Sequence, residues 1–105
     1  MRRGELWWAE LEEPIGRRPV LLLSRDEAYA VRALVIVAPV TTRIRGIPTE
    51  VALGPSEGLP HASVANLDVL LTIRKESLRT RLGVLAPDQL AAVEAALRFA
   101  LGLGQ

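Results

Sequence analysis

Arg18 and Thr41 are the side chains whose types and surroundings most suggest chemistry. Arg18 stands just ahead of the apolar run at residues 19–24, and Thr41 with Thr42 closes the run at residues 33–40. A guanidinium offers a rigid fork of donors that matches phosphate oxygens, and it keeps its charge up to about pH 12. A hydroxyl adds a second donor. Brought together, the two suit the recognition and cleavage of a phosphodiester. A plainer reading stands beside this one. Arg18 could hold a loop by pairing with Glu10 or Glu13, and Thr41 with Thr42 could simply cap the turn at a strand end.

The remaining reactive residue types are few. The chain has no cysteine, which excludes disulfides, thiol nucleophiles and thiolate zinc sites. His61 is the sole histidine, so a pair of histidines within one chain is excluded, and no carboxylate cluster suggests a metal site. His61 reads as an exposed and inert loop residue. If it reached a functional groove, its imidazole would be the obvious acid or base. With 13 basic and 12 acidic residues the net charge is +1, so no broad cationic field is available for unselective nucleic-acid binding. Lys75 is the only lysine. Either coding bias or phosphate-facing guanidinium groups would explain that preference for arginine.

These residues need elements to position them. At 105 residues and 50% apolar content the chain reads as one folded domain over residues 1–105, with a modest core. Residues 5–11, rich in strand formers, predict a first strand. Residues 19–24 form a nearly continuous apolar run, expected of a strand buried on both faces, with Pro19 at its first position. Residues 25–32 predict a loop or short helix, residues 33–40 a second buried strand, and residues 49–53 alternate as a further strand would. Residues 63–73 predict a strand or a pair of strands bent near Asn66 to Asp68. Pro87 beside Asp88 opens a helix, Leu90, Val93, Leu97 and Leu101 give it an apolar stripe predicted to face the core, and Gly102 stops it. The order predicts an α+β, mainly β fold, a small barrel with a C-terminal helix packed on it. The opening Met1-Arg2-Arg3-Gly4-Glu5 carries no apolar signal region, and no run reaches membrane-spanning length. A cytoplasmic protein is expected.

The order of motifs resembles the MazF/PemK family of toxin endoribonucleases. The likeness rests on Gly4-Glu5-Leu6-Trp7-Trp8, on Arg18-Pro19-Val20-Leu21-Leu22-Leu23, and on the apolar strand ending at Thr41-Thr42. It continues through Pro48-Thr49-Glu50-Val51, Ser63-Val64 and the terminal helix, and so spans almost the whole chain in register. The resemblance implies an SH3-like barrel of the PemK/CcdB type, prokaryotic and cytoplasmic, acting as a homodimer. It also implies metal-independent cleavage of single-stranded RNA by its 2′-hydroxyl, without cofactor, leaving 2′,3′-cyclic phosphate and 5′-hydroxyl ends. A cognate antitoxin protein would block the groove. The family's catalytic arginine falls on Arg18 and its catalytic threonine on Thr41. Glu13 matches a loop glutamate and is a candidate base or organiser, although the loop is shorter than in many members. Thr42, Arg43, Asn66 and Asp68 are candidate RNA contacts. One of Trp7 and Trp8 should face the core, leaving the other for a dimer surface or a stacked base. Val69 and Leu71 stand where many relatives carry Gln or Asn and a basic residue, so the cleavage sequence does not carry over. Two rivals share the barrel. A CcdB-like gyrase poison would need a tryptophan in its C-terminal tail, where this chain has Leu101-Gly102-Leu103-Gly104-Gln105. A non-catalytic SH3-like module that only binds RNA or protein would not need both Arg18 and Thr41.

Overall fold

A computed structural model describes residues 1–104. Seven strands follow in the order β1 (Glu5–Glu10), β2 (Arg17–Leu22), β3 (Leu34–Thr41), β4 (Glu50–Leu53), β5 (Ser63–Asn66), β6 (Leu71–Arg74) and β7 (Leu78–Val84). A short helix α1 (Ala28–Val31) lies between β2 and β3, and the long helix α2 (Pro87–Leu101) closes the chain. All pairings are antiparallel, in the order β4-β5-β3-β2-β1-β7, with β6 paired to the first half of β3. The mainly β architecture with a C-terminal helix is the one the sequence predicts.

Val20 to Ser24 and the second half of β3 are buried on both faces because the sheet has a core on each side. Leu34 and Ile36 at the start of β3 stay exposed, so the burial expected of residues 33–40 holds only in part. Leu21, Leu23, Ala38 and Val40 point into one cluster, together with Leu6, Val93 and Ala96. Val20, Leu22, Val35 and Val37 point into the other, with Ala9, Tyr29 and Ile73. Alternation along β2 and β3 supplies both, so neither strand has a polar face to show in its sequence. The predicted bend at Asn66 to Asp68 divides two strands, β5 and β6.

Two further expectations need correction, and one strand was not foreseen. Pro19 is the third residue of β2, not its first. It is tolerated there because it pairs only with Trp8 of β1, while the β2–β3 ladder covers Val20 to Leu22 alone. Leu101 is not a core residue but stays 54% exposed, since the stripe on α2 buries Val93 and Ala96 and then runs past the sheet. Strand β7, in a stretch assigned no element from sequence, pairs with β1 at the end of the sheet, and its register with β1 shifts twice. Arg79, Thr80 and Arg81 face solvent, as suits an edge strand, and they break up the apolar signal.

Candidate functional site

Strands β2 and β3 part where their prolines stand. Their ladder ends at the pair Val20–Pro39, and beyond it β3 pairs with β5 instead, through Val40–Ala65 and Thr41–Val64. Neither Pro19 nor Pro39 has an N–H with which to continue the ladder. The gap is a groove of ≈ 290 Å³ lined by Trp8, Arg17, Arg18, Pro19, Val40, Thr41, Thr42, Leu59, Pro60, His61 and Ser63. Arg18 and Thr41 also line an adjoining hollow of ≈ 240 Å³ with Pro39, Arg43, Arg45, Glu50, Asn66 and Val69. The residue pair singled out from the sequence thus shares two connected depressions.

Arg18 forms no ion pair among the described residues, and its Nε is buried without a hydrogen-bond partner. The plainer reading, in which Arg18 is tied to Glu10 or Glu13, is therefore not what the fold does. A buried orphan donor on a cation costs free energy unless something accepts from it, which suits a site awaiting an anion. The Thr41 Oγ1 accepts the Arg43 N–H at 3.1 Å and so does cap the turn after β3. Its own hydroxyl proton remains free to donate. The guanidinium of Arg17 stacks 4.6 Å from the centre of the Trp8 ring, an arrangement that holds both side chains at the mouth of the groove.

The second hollow is held by its carboxylates. Glu50 accepts the N–H groups of Arg45, at 3.0 Å, and of Gly46, at 2.9 Å, and so fixes the loop that carries Arg43 and Arg45. Asp68 accepts the Thr49 hydroxyl at 2.9 Å, and Asn66 accepts the Asp68 N–H at 3.0 Å. Asn66 lines the second hollow, whereas Asp68 supports its wall from outside. Across both depressions four arginines face one carboxylate, and that carboxylate already holds backbone donors. A chain of net charge +1 has gathered its positive charge locally.

Glu13 lies elsewhere. Its carboxylate sits over Gly16 in the turn joining β1 and β2, and it lines a separate cavity with Glu10, Leu34, Leu71 and Ile73. Trp7 packs against the second core and donates its indole N–H to Glu5 at 2.8 Å, which leaves Trp8 as the tryptophan at the groove. His61 is exposed, as its loop composition predicts, and it also lines the groove. No local pattern announced that position. It follows from the path of the chain between the buried Leu59 and the buried Ser63. Among the described residues no cluster of three or more His, Cys, Asp or Glu side chains could hold a metal ion.

Comparison with known proteins identifies a family. Residues 2–101 match the model of the PemK-like, MazF-like toxins of type II toxin–antitoxin systems. The probable endoribonuclease MazF5 of Mycobacterium tuberculosis is 46% identical over 100 residues, covering 94% of this chain and 91% of that protein. Among solved structures, the M. tuberculosis toxin MazF-mt6 superposes with a TM-score of 0.89 at 34% identity, covering 96% of this chain and 99% of its own. A mycobacterial endoribonuclease solved with its cognate antitoxin gives 0.88 at 33% identity, over 100% and 98% of the two chains.

Proposed function

The chain belongs to the PemK-like, MazF-like toxins of type II toxin–antitoxin systems, and on that premise we propose that it is an endoribonuclease that cleaves single-stranded RNA at the Arg18–Thr41 groove. The observation that carries this reading is the unpartnered, buried Nε of Arg18 beside the free hydroxyl proton of Thr41. The ribose 2′-oxygen attacks the adjacent phosphorus, the bond to the 5′-oxygen breaks, and the products are a 2′,3′-cyclic phosphate and a 5′-hydroxyl end. Negative charge rises on the pentacoordinate phosphorus, where the fixed guanidinium of Arg18 stabilises it. Thr41 donates to a phosphate oxygen. No metal is required in this scheme, because the arginine supplies the positive charge. Arg43 and Arg45 hold flanking phosphates, which positions the strand without reading its bases. Thr42 and Asn66 complete the RNA-facing surface, Asp68 acts through its bond to Asn66, and Glu13 acts at most as an organiser of the β1–β2 turn. The protein works as a homodimer in the cytoplasm. A cognate antitoxin silences it, consistent with the relative solved in complex with its own antitoxin.

Incubating the purified protein with a long single-stranded transcript in excess EDTA tests the reading. Discrete fragments with 5′-hydroxyl ends are expected. Arg18→Ala and Thr41→Ala should each slow their appearance by about 10²–10³-fold while remaining folded by circular dichroism. Cleavage that needs added metal, or variants as fast as the parent, would refute it.

A further inference from the structure

Proton transfer is the step that Arg18 and Thr41 leave unprovided. A guanidinium does not deprotonate in a protein, so Arg18 cannot take the proton from the attacking 2′-hydroxyl. Glu13 faces a different cavity, Glu50 is held by the Arg45 and Gly46 N–H groups, and Asp68 is bonded to Thr49. Among the described residues no carboxylate lines the groove that holds both Trp8 and Thr42. His61 does line it, and a neutral imidazole has a nitrogen lone pair to accept a proton.

The loop that carries His61 is fixed at both ends. On the near side Leu59 is buried in the core under α2, and Glu57 accepts the Gly54 N–H at 2.7 Å to close the preceding turn. On the far side the buried Ser63 donates its hydroxyl to the His61 carbonyl at 2.8 Å. The backbone of His61 is thus anchored while its ring stays accessible, which suits a group that must meet substrate. The charged groups that line the groove with it are Arg17 and Arg18 of β2; β1 contributes Trp8, and the β3 end contributes Val40, Thr41 and Thr42, all uncharged.

We infer that His61 is the general base of cleavage, an assignment that rests on the endoribonuclease reading above. As the 2′-oxygen forms its bond to phosphorus, its proton passes to the neutral imidazole. The P–O5′ bond breaks, solvent water protonates the departing 5′-oxygen, and the imidazolium returns its proton to water before the next turnover.

The test follows initial cleavage of a long mixed-sequence transcript in EDTA between pH 5 and 8, for the unaltered protein, His61→Gln and His61→Ala. The unaltered protein should slow toward the acid end of that range, because a base must be unprotonated to act. His61→Gln should be about 10²–10⁴-fold slower at pH 7.5 and lose that acid limb, with an unchanged circular dichroism spectrum. Imidazole in the buffer should restore part of the rate to His61→Ala. A His61→Gln protein that cuts at the parental rate overturns the assignment alone. So does one that is slower yet keeps the parental acid limb, with His61→Ala gaining nothing from imidazole, which is what a structural role would give. Transcript left whole by the unaltered protein overturns the endoribonuclease reading, and this assignment falls with it.

Discussion

At Thr41 one oxygen serves two purposes. Its lone pair caps the turn through the Arg43 N–H, and its proton is left for the groove. Serine preserves both functions at this position, whereas valine removes both while keeping the branched shape suited to a strand. Thr41→Ser should therefore keep RNA cleavage within about tenfold of the parent, and Thr41→Val should lose about 10²–10³-fold, measured on the same transcript. Tyr29 makes a second residue-scale case, on stability. Burial in the second core raises its phenol from the ordinary value of 10.0 to about 12, and its hydroxyl has no hydrogen-bond partner among the described residues. The fold favours the neutral phenol, so this contribution is complete below pH 10 and is lost as the pH rises toward 12. It amounts to about 3 kcal/mol at most, two units at 1.36 kcal/mol each. Tyr29→Phe should match or exceed the parent in urea unfolding at pH 8 and lose less stability at pH 11. A parallel loss in both proteins would mean that another group governs the alkaline limb.

The turn that delivers His61 depends on a backbone contact between two glycines. Gly58 has φ +92°, and a Cβ on it would collide with the Leu82 carbonyl; a Cβ on Gly83 would collide with the Glu57 carbonyl. The turn at Pro55–Glu57 therefore packs directly on β7. Gly83→Ala should cost about 1–3 kcal/mol in denaturant unfolding, as close-packed backbone has little room to yield. It should slow cleavage too, since it displaces the loop behind Leu59 and His61. A variant with unchanged stability would show that the contact is loose. This close approach was not legible in the sequence, where Gly54-Pro55 and Gly58-Leu59-Pro60 show only a turn. What was legible is whatever local periodicity specifies. The apolar runs of β2 and β3 gave those strands, and Pro87 with Gly102 gave the limits of α2. Strand β7 escaped notice because an edge strand bearing Arg79 and Arg81 has almost no apolar alternation. Its existence depends on β1 as a partner, which no local pattern encodes. Arg18 and Thr41 were legible as candidates from their types and their places at strand ends, and the family resemblance favoured them over the plainer reading. The reason they meet, two prolines that end one ladder and send β3 to β5, appears only in the fold.

For the whole molecule, the apolar content that builds two cores also leaves large side chains outside them. Leu34 and Ile36 on β3 are 54% and 44% exposed, and at the end of α2 Phe99 and Leu103 are 61% and 56% exposed. A domain of this size normally keeps such groups few and scattered. Two lie one alternation apart on the same face of a strand, and the others share the last stretch of the chain. A second copy of the chain would remove such surface from water at about 25 cal/mol for each Å² of apolar area covered. Part of that gain is offset by the entropy of association, so only a well-fitted interface leaves a net attraction. A closed dimer uses the same patch on both copies, which makes one apolar face sufficient. Light scattering at micromolar concentration should therefore give twice the 11.4 kDa chain mass. A mass of one chain across that range, with RNA cleavage intact, would show that a single groove suffices and that these apolar groups serve another partner.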